Sequence, residues 1–388
     1  MAGSVPVNNA IFIILHLQLF FYPVKINQAL FIVKKNMPFF ITFFLSLAIH
    51  VSGQKVNDLE VKITTWYQNK PGAVSISFDD VSYTQYSYGY PILEKYKIKG
   101  TFSIVGEWVG EQPDYFAEPD NFEIQKMGWP QLMELFNHGH ELAAHGFLHV
   151  RYDKHLPVSD LAFEMKKIKT LIESRTNSRV FTLNYPYSFA SGNIPDAARE
   201  AGYLFGRTGL DTINSPTPYN MNLLATQVIL NSEQPDSLMF QNWLKQAKGN
   251  WLILMYHHLF PLKSKEMELI RLHDVEYSYS VLPEEFEAHI EAMVAAGYWI
   301  APISEVGRYI IQRENTEFRT ILCRNQIFIY SVTNLNKQIY NQPLTLEIKV
   351  PWKKVRIEGS LDDGVFETQN NKLFINVFPE NQLILSKE

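Results

Sequence analysis

The chain has 388 residues, of which 46% are hydrophobic and 14% aromatic. This length predicts more than one domain, and this composition is typical of a globular protein, excluding a disordered, collagen-like or polytopic membrane chain. The formal net charge of -5 and the absence of a Lys/Arg-rich tract exclude nucleic acid as the expected partner.

The first 53 residues have the pattern of a secretory signal peptide. A lysine pair precedes the apolar run 38–49, and small residues follow it. No apolar run here reaches the roughly 18 to 20 residues that a membrane-spanning helix needs. We therefore expect a signal segment over residues 1–53, no stable membrane span after its removal, and a secreted, periplasmic or cell-envelope protein. The true start could instead be Met37, and a retained N-terminal anchor is the alternative.

From Ala73 onward, short β-rich runs alternate with amphipathic stretches, which is typical of βα units around a parallel sheet. The predicted strands cover residues 73–78, 101–105, 141–144, 180–185, 203–207, 251–256 and 298–301. The predicted helices cover residues 90–96, 129–137, 159–174, 194–201, 235–247, 283–296 and 304–313. Three of these helices are followed by a glycine that could form a left-handed cap, namely Gly139, Gly202 and Gly297. Seven strand–helix pairs predict an α/β fold, a distorted (β/α) barrel of about seven strands.

Beyond the last predicted helix the helical period is lost, and short alternating runs are separated by Asn, Gly and Asp turns. We predict a barrel domain over residues 54–314 and a small β-sandwich-like domain over residues 315–388. The acidic and aromatic stretch 111–125 is predicted to be a long loop over one barrel face. The single cysteine, Cys323, excludes an internal disulfide, and we expect it to be buried, as free cysteines usually are.

Two carboxylates end the first predicted strand. Asp79 and Asp80 follow a strongly apolar run instead of lying in a polar loop. Because adjacent strand residues point to opposite faces, both side chains can enter one site only if the strand breaks there. Barrel enzymes place their catalytic groups at this end of their strands. A capping or turn pair is the alternative interpretation.

Histidines end two further predicted strands. His145 and His149 follow the third strand, and on a helical turn this spacing puts both imidazoles on one face, as a divalent metal ion needs. The glutamate that a zincin protease carries beside its first histidine is absent, so a protease is not indicated. His257 and His258 follow the sixth strand. Each feature alone has an ordinary structural explanation, but their coincidence at three strand ends favours one site.

These residues together resemble the polysaccharide deacetylase family, the NodB-homology group of carbohydrate esterase family 4, over roughly residues 72–313. The first family motif ends in two aspartates, matched by Asp79 and Asp80, and the second has two histidines four apart, matched by His145 and His149. The resemblance implies that Asp79 is the general base. The other three residues would ligate a divalent metal ion, with zinc favoured.

The third family motif, Arg-x-Pro-Tyr, is matched by residues 184–187 with Asn184 in place of the arginine. The family uses that arginine to hold the catalytic aspartate. We hypothesise that Arg207, at the end of the next predicted strand, supplies this charge to Asp79 instead. The backbone N–H of Tyr187 would be the oxyanion donor.

The fifth family motif, an apolar strand ending in the general-acid histidine, is matched by His257, with His258 as the alternative. Asp211 is the candidate for the fourth motif, an acid that orients this histidine. The resemblance therefore implies a metal-dependent hydrolase that removes acetyl groups from a polysaccharide or oligosaccharide, with an acetylated glycan as partner. N-acetyl groups are favoured as the substrate, and O-acetyl groups are the alternative. Because Asn184 departs from the motif, a catalytically impaired carbohydrate-binding protein on the same barrel is the alternative.

Overall fold

The computed structural model describes residues 59–110, 124–153, 155–231, 237–261, 277–323 and 325–388. These residues belong to one compact unit. The predicted signal segment and residues 111–123 of the predicted loop lie outside the described part of the chain. No described helix is both long enough and apolar enough to cross a membrane.

The described residues form strands and helices in the alternating order that the sequence predicts. The strands are β1 (Glu60–Ile63), β2 (Ala73–Phe78), β3 (Thr101–Ile104), β4 (Glu141–Ala144), β5 (Thr182–Asn184), β6 (Phe205–Arg207), β7 (Gln227–Val228), β8 (Trp251–Tyr256), β9 (His258–Leu259), β10 (Ser280–Val281), β11 (Trp299–Ile300), β12 (Thr316–Cys323), β13 (Gln326–Thr333), β14 (Leu344–Lys349), β15 (Lys354–Glu358), β16 (Gly364–Glu367), β17 (Lys372–Val377) and β18 (Leu383–Lys387). The α-helices are α1 (Tyr90–Lys95), α2 (Trp129–Asn137), α3 (Val158–Thr176), α4 (Ile194–Glu200), α5 (Leu238–Ala247), α6 (Pro283–Ala295) and α7 (Ile303–Asn315).

The largest sheet is a curled parallel sheet with the order β6-β5-β4-β3-β2-β8-β7, and β11 also pairs with β2. Strand β2 is central and fully buried, and it pairs with β8 along its whole length. Such burial is typical of parallel strands that are covered on both faces, and it explains why this strand contains only small or apolar residues. The predicted distorted (β/α) barrel of about seven strands is confirmed.

The boundaries of these elements follow the local sequence signals closely at helix ends and less closely at strand ends. Gly139, Gly202 and Gly297 have φ angles of 86°, 84° and 76°, so the three predicted left-handed caps are confirmed. The strands predicted over residues 180–185 and 203–207 are shorter, as β5 and β6. Strand length depends on how far neighbouring backbones stay in hydrogen-bonding register, which the pattern of one segment does not contain.

The C-terminal part consists of two antiparallel sheets with the orders β1-β14-β17 and β12-β13-β18-β15-β16. Their inner faces share one apolar core, to which both sheets contribute, and the predicted β-sandwich is confirmed. Strand β1, which precedes the barrel in the chain, lies at an edge of the first sheet and pairs with β14. The domain limit between residues 314 and 315 stays a prediction, although α7 ends and β12 begins at this point.

Cys323, the last residue of β12, is exposed, so the expectation that it is buried is wrong. Strand β12 lies at the edge of the five-stranded sheet, and most of its side chains are exposed. A free cysteine is usually buried because its thiol is weakly polar, but position in the sheet decides the outcome here.

Candidate metal centre and catalytic site

Asp79 and Asp80 lie at the carboxyl end of β2, where the strand breaks. The N–H of Asp79 donates to the carbonyl of Tyr256 at 2.9 Å, so Asp79 still belongs to the ladder with β8. Asp80 and Val81 then adopt left-handed φ angles of 74° and 56°. Non-glycine residues rarely hold this conformation unless the surrounding structure enforces it. The break turns the chain so that both carboxylates face the same site.

Asp80, His145 and His149 converge on one point. The Nε2 atoms of both histidines lie 3.4 Å from Oδ1 of Asp80, and the candidate ligand atoms of the three residues all lie within 4.8 Å of one another. Oδ1 of Asp80 is buried and accepts no hydrogen bond. A buried carboxylate oxygen without a donor, facing two imidazoles, is the arrangement expected where a cation binds.

His145 and His149 do not lie on a helical turn, so that part of the prediction is wrong. The segment between them is an irregular loop, in which Gly146 and His149 have φ angles of 78° and 51°. The loop brings the two imidazoles together with ring centroids 4.9 Å apart. Nδ1 of His145 contacts the backbone carbonyl of Asn184 at 2.7 Å, which directs Nε2 toward the carboxylates.

The His149 imidazole contacts two aromatic rings. The ring of Trp108 lies 4.7 Å away and that of Tyr187 lies 4.8 Å away, between centroids. Burial, followed by the neighbouring His145, lowers the pKa of His149 to about 4, so the ring is neutral near pH 7. Sequence reasoning missed Trp108, although its position four residues beyond β3, at another strand end, was an available signal.

Arg207 contacts the carboxylate of Asp79. Its Nη2 lies 2.6 Å from Oδ1 and 2.5 Å from Oδ2, while Nη1 lies 2.9 Å from the sulfur of Met255. Burial raises the pKa of Asp79, but the Arg207 guanidinium and then the imidazoles of His145 and His257 outweigh it, so this pKa lies below its usual value. Asp79 is therefore ionised near neutral pH.

Asn184, which occupies the position of the family arginine, does not contact Asp79 in the way that Arg207 does. Asn184 on β5 is the register partner of Arg207 on β6. The arginine of this chain therefore lies one strand away from the position that the family motif gives it. The Asn184 amide nitrogen donates to the hydroxyls of Ser103 at 2.6 Å and Ser77 at 3.2 Å, inside the barrel. Tyr187 follows in a short 3₁₀ turn with a φ of 55°, and its side chain is 65% exposed at the rim of the site.

His257 directly follows Tyr256, whose carbonyl accepts the hydrogen bond from the Asp79 N–H, and His258 lies in strand β9 paired with β10. Burial lowers the pKa of His257, and the carboxylates of Asp80 and Asp79 offset this lowering only in part. The His257 ring lies 4.5 Å from the ring of Tyr279, and its buried Nδ1 makes no hydrogen bond. The geometry favours His257 over His258 as the residue that faces the site.

Asp211, the candidate for orienting His257, is exposed. Among the described residues no contact joins it to His257, whose ring packs on Tyr279 instead. The structure therefore does not support Asp211 in the role of the fourth motif.

Comparison with known proteins relates part of the chain to one family. Residues 67–206 match the family model described as polysaccharide deacetylase. The chain is 29% identical over 140 residues to the poly-beta-1,6-N-acetyl-D-glucosamine N-deacetylase of Staphylococcus aureus, covering 34% of this chain and 47% of that protein. It is 25% identical over 163 residues to the Bacillus subtilis protein YxkH, covering 41% of this chain and 54% of that protein. The chain thus spans about half the length of the curated relatives it matches.

Solved structures show more distant similarity. The Xyl-CE4 domain of a multidomain xylanase from the hindgut metagenome of Trinervitermes trinervoides is 18% identical with a TM-score of 0.38, covering 61% of this chain and 89% of that chain. The CE4 family pseudoenzyme BA3943 of Bacillus anthracis is 16% identical with a TM-score of 0.38, covering 62% of this chain and 66% of that chain. Similarity at this level carries no conclusion about activity.

Proposed function

We propose that this chain, whose residues 67–206 match the family model described as polysaccharide deacetylase, is a metal-dependent hydrolase that removes N-acetyl groups from a glucosamine-containing polysaccharide or oligosaccharide. The observation that carries the proposal is the convergence of Asp80, His145 and His149, with Asp79 held by Arg207 beside them. N-acetyl is preferred to O-acetyl because the Staphylococcus aureus relative is named as an N-deacetylase.

Asp80, His145 and His149 would hold the metal ion. Two imidazoles and one carboxylate form a donor set that leaves positions open for water and substrate, and such a set suits zinc. When bound, the ion would polarise the acetyl carbonyl and lower the pKa of water. The buried, hydrogen-bond-free Oδ1 of Asp80 is consistent with this assignment.

The remaining residues would move the protons. Asp79, ionised and oriented by Arg207, would take the proton of the attacking water. The Tyr187 N–H would donate to the oxyanion that forms on the acetyl carbon. His257, in its protonated form, would then give a proton to the leaving nitrogen as the carbon–nitrogen bond breaks, and the proton that Asp79 took from water would restore it. Water is consumed, and the products are acetate and a free amine on the sugar.

A catalytically impaired carbohydrate-binding protein is the second candidate. The observation that favours it is Asn184, which stands where the family motif has arginine. The contact between Arg207 and Asp79 supports activity instead, because it restores a cation at the carboxylate.

Acetate release with matched metal analysis tests these two functions. The purified chain is assayed with β-1,6-linked and β-1,4-linked N-acetylglucosamine oligomers and with acetylated xylan, before and after chelation and with zinc restored. We expect release from at least one N-acetylated oligomer, loss of release on chelation, and recovery with zinc.

Variants of the candidate ligands provide the control. His149→Ala should lose both bound zinc and turnover, whereas His138→Ala changes an exposed histidine and should retain both. No acetate from any substrate, in a chain that binds the oligomers, would support the binding protein and reject the hydrolase.

We also propose that residues 1–53 direct export and are then removed. The support is the lysine pair, apolar run and small residues of this segment. Sequencing the N-terminus of the protein from the producing cell should give a mature chain that begins near Gln54. An intact N-terminus on protein recovered from the cytoplasm would contradict the proposal.

A further inference from the structure

A buried glutamine links the two strand ends that carry the proposed base and acid. Gln85 begins a π-helical turn, Gln85–Gly89, that leads into α1, and its side chain is fully buried. Its amide nitrogen donates to the backbone carbonyls of both Asp79 and His257, the second at 2.8 Å. Turns of this type are rare and frequently lie at functional sites.

The contact replaces a rung that the sheet lacks. The β2–β8 ladder ends with the pair Phe78 and Tyr256, and the last bond joins the Asp79 N–H to the Tyr256 carbonyl. Both strands then diverge, because Asp80 turns into a left-handed conformation and His258 begins β9. Buried carbonyls beyond a ladder need another donor, and one amide group supplies it to both.

The orientation of the Gln85 amide is fixed by these two bonds. Its Oε1 is buried and has no hydrogen-bond partner. The reverse orientation would place Oε1 against two carbonyl oxygens, which repel it. The Gln85 amide group therefore joins the two backbones while its own oxygen accepts no hydrogen bond. Buried polar atoms without a hydrogen bond are uncommon in folded proteins, so each one needs a specific explanation.

The neighbouring residue reinforces the link. The hydroxyl of Thr84 accepts a hydrogen bond from the Leu259 N–H at 3.1 Å, and it also contacts the Ser82 hydroxyl at 2.8 Å. Two consecutive side chains of the turn after Asp80 therefore hold the backbone on both sides of His258.

The two ends of the link are not equally anchored. Asp79 is also held by the ladder with β8 and by Arg207. The described contacts of His257 are fewer: its ring packs on Tyr279, and its Nδ1 makes no hydrogen bond. Loss of the Gln85 amide should therefore displace His257 more than Asp79.

We propose that Gln85 is a positioning residue, which holds the proposed general acid His257 at a fixed distance from the base strand. The proposal rests on the function proposed above. Among the described residues no carboxylate hydrogen-bonds to His257, and the proposal explains how this histidine is kept in place: Gln85 fixes its backbone and Tyr279 packs on its ring. Catalysis is sensitive to such placement, since a misplacement of about 1 Å can lower a rate about a hundredfold.

Gln85→Met tests the proposal, because methionine keeps the length of the side chain and removes the donor. Two substrates are compared, an N-acetylglucosamine oligomer and 4-nitrophenyl acetate. The amide needs a proton on its leaving nitrogen, whereas nitrophenolate leaves without one. We expect kcat for the oligomer to fall about a hundredfold, with much smaller changes in its KM, in the rate of ester hydrolysis and in zinc content.

Gln312→Met is the matched control. Gln312 is also buried, and it lies in α7, away from the site. Its side-chain amide forms two hydrogen bonds with the backbone of Gln342. We expect this variant to lose stability to a similar degree while kcat for both substrates stays unchanged. Gln85→Asn, which keeps an amide on a shorter side chain, serves if the methionine variant does not fold, and should also lower the amide rate more than the ester rate.

The outcomes separate the two proposals. Equal loss of amide and ester hydrolysis, or no loss of either, in a folded Gln85 variant overturns the positioning role. An unmodified chain that releases no acetate from any glycan rejects the proposed function itself.

Discussion

At the scale of single residues, two neighbouring aspartates receive different environments. Asp79 contacts the guanidinium of Arg207, whereas Asp80 faces the imidazoles of His145 and His149. Burial raises the pKa of Asp80, but the His145 and His257 imidazoles outweigh it and hold this pKa well below its usual value. The left-handed φ of Asp80 makes the difference, because an unbroken strand would point the two side chains to opposite faces.

The separate roles of the two aspartates can be tested by Asp79→Asn. We expect acetate release to fall by about 10²- to 10⁴-fold, the usual contribution of a general base, while zinc content stays unchanged because Asp79 is not among the proposed ligands. The variant should also unfold at a lower temperature, since it leaves the buried Arg207 charge without its partner. Full activity in this variant would contradict the base assignment.

His140, which lies away from the site, is expected to make the free energy of unfolding depend on pH. His140 is buried, its Nδ1 accepts a hydrogen bond from the Gly100 N–H at 3.1 Å, and its Nε2 lies 3.4 Å from a carboxylate oxygen of Glu94. Burial, followed by the nearby Lys99, lowers the pKa of His140 to about 4. The unfolded chain therefore binds a proton first as the pH falls below about 6.5.

The resulting loss of stability has a defined pH window. Between about pH 6.5 and pH 4 protonation favours the unfolded chain, so we expect the free energy of unfolding to fall by about 3 kcal/mol from this residue. Urea unfolding at a series of pH values should show a shallower decline for His140→Gln than for the unmodified chain. Parallel curves would exclude His140 as the cause.

At the scale of elements, the site is assembled from the carboxyl ends of parallel strands. Strands β2, β4, β6 and β8 end at, or just before, Asp79, His145, Arg207 and His257. The sequence predicted this convergence, because parallel strands of one barrel present these ends on the same face. It also predicted the contact between Arg207 and Asp79, from the position of Arg207 at the end of the next strand. It did not predict the irregular loop at His149, since HxxxH spacing suits a helical turn as well.

Exchanging arginine and asparagine between position 207 on β6 and position 184 on β5 tests whether Arg207 replaces the family arginine. Arg207→Asn should lower kcat about a hundredfold or more, because Asp79 loses the group that orients it. Adding Asn184→Arg to this variant places arginine in the motif position of the family, on the register partner. We expect the double variant to recover about tenfold, equivalent to a coupling of about 1.4 kcal/mol.

The control for this exchange is Asn184→Arg alone. It introduces a second buried guanidinium and removes the hydrogen bonds to Ser77 and Ser103, so it should be less stable and less active than the unmodified chain. A double variant no more active than Arg207→Asn would show that the two positions are not interchangeable.

At the scale of the whole molecule, the C-terminal sandwich and the barrel are joined by strand pairing and by a common buried cluster. Strand β1 precedes the barrel yet pairs with β14, and the Thr64 N–H donates to the Thr345 carbonyl at 2.9 Å. Leu344 belongs to the same buried cluster as Trp66 and Trp251. The barrel therefore depends on the C-terminal strands for part of its apolar packing.

Truncation tests this dependence. A chain that ends at Asn315 should expose Trp66 and leave β1 without a partner, and each buried aliphatic or aromatic side chain it exposes costs about 1.5–3 kcal/mol. We expect it to aggregate or to lose its thermal transition, whereas a chain that ends at Ser386 keeps that transition. A soluble truncated chain with the unfolding temperature of the full chain would support an independent barrel domain over residues 54–314.

Local patterns in the amino-acid sequence are enough to predict several features of this protein. The confirmed predictions are the parallel barrel, the glycine caps, the C-terminal sandwich and the resemblance to the polysaccharide deacetylase family. Each of them rests on periodicity or on motifs within short segments. The candidate residues Asp79, Asp80, His145 and His149 also follow from such motifs.

Other features join segments that are far apart in the chain, and these depend on the tertiary structure. These are the pairing of β1 with β14, the contacts of the Trp108 and Tyr187 rings with His149, and the hydrogen bonds of Gln85 to two strand ends. Cys323 is exposed for the same reason, since its surroundings depend on the edge position of β12. Local propensity is a property of neighbouring residues, whereas a contact between segments far apart depends on how the whole sheet curls and packs.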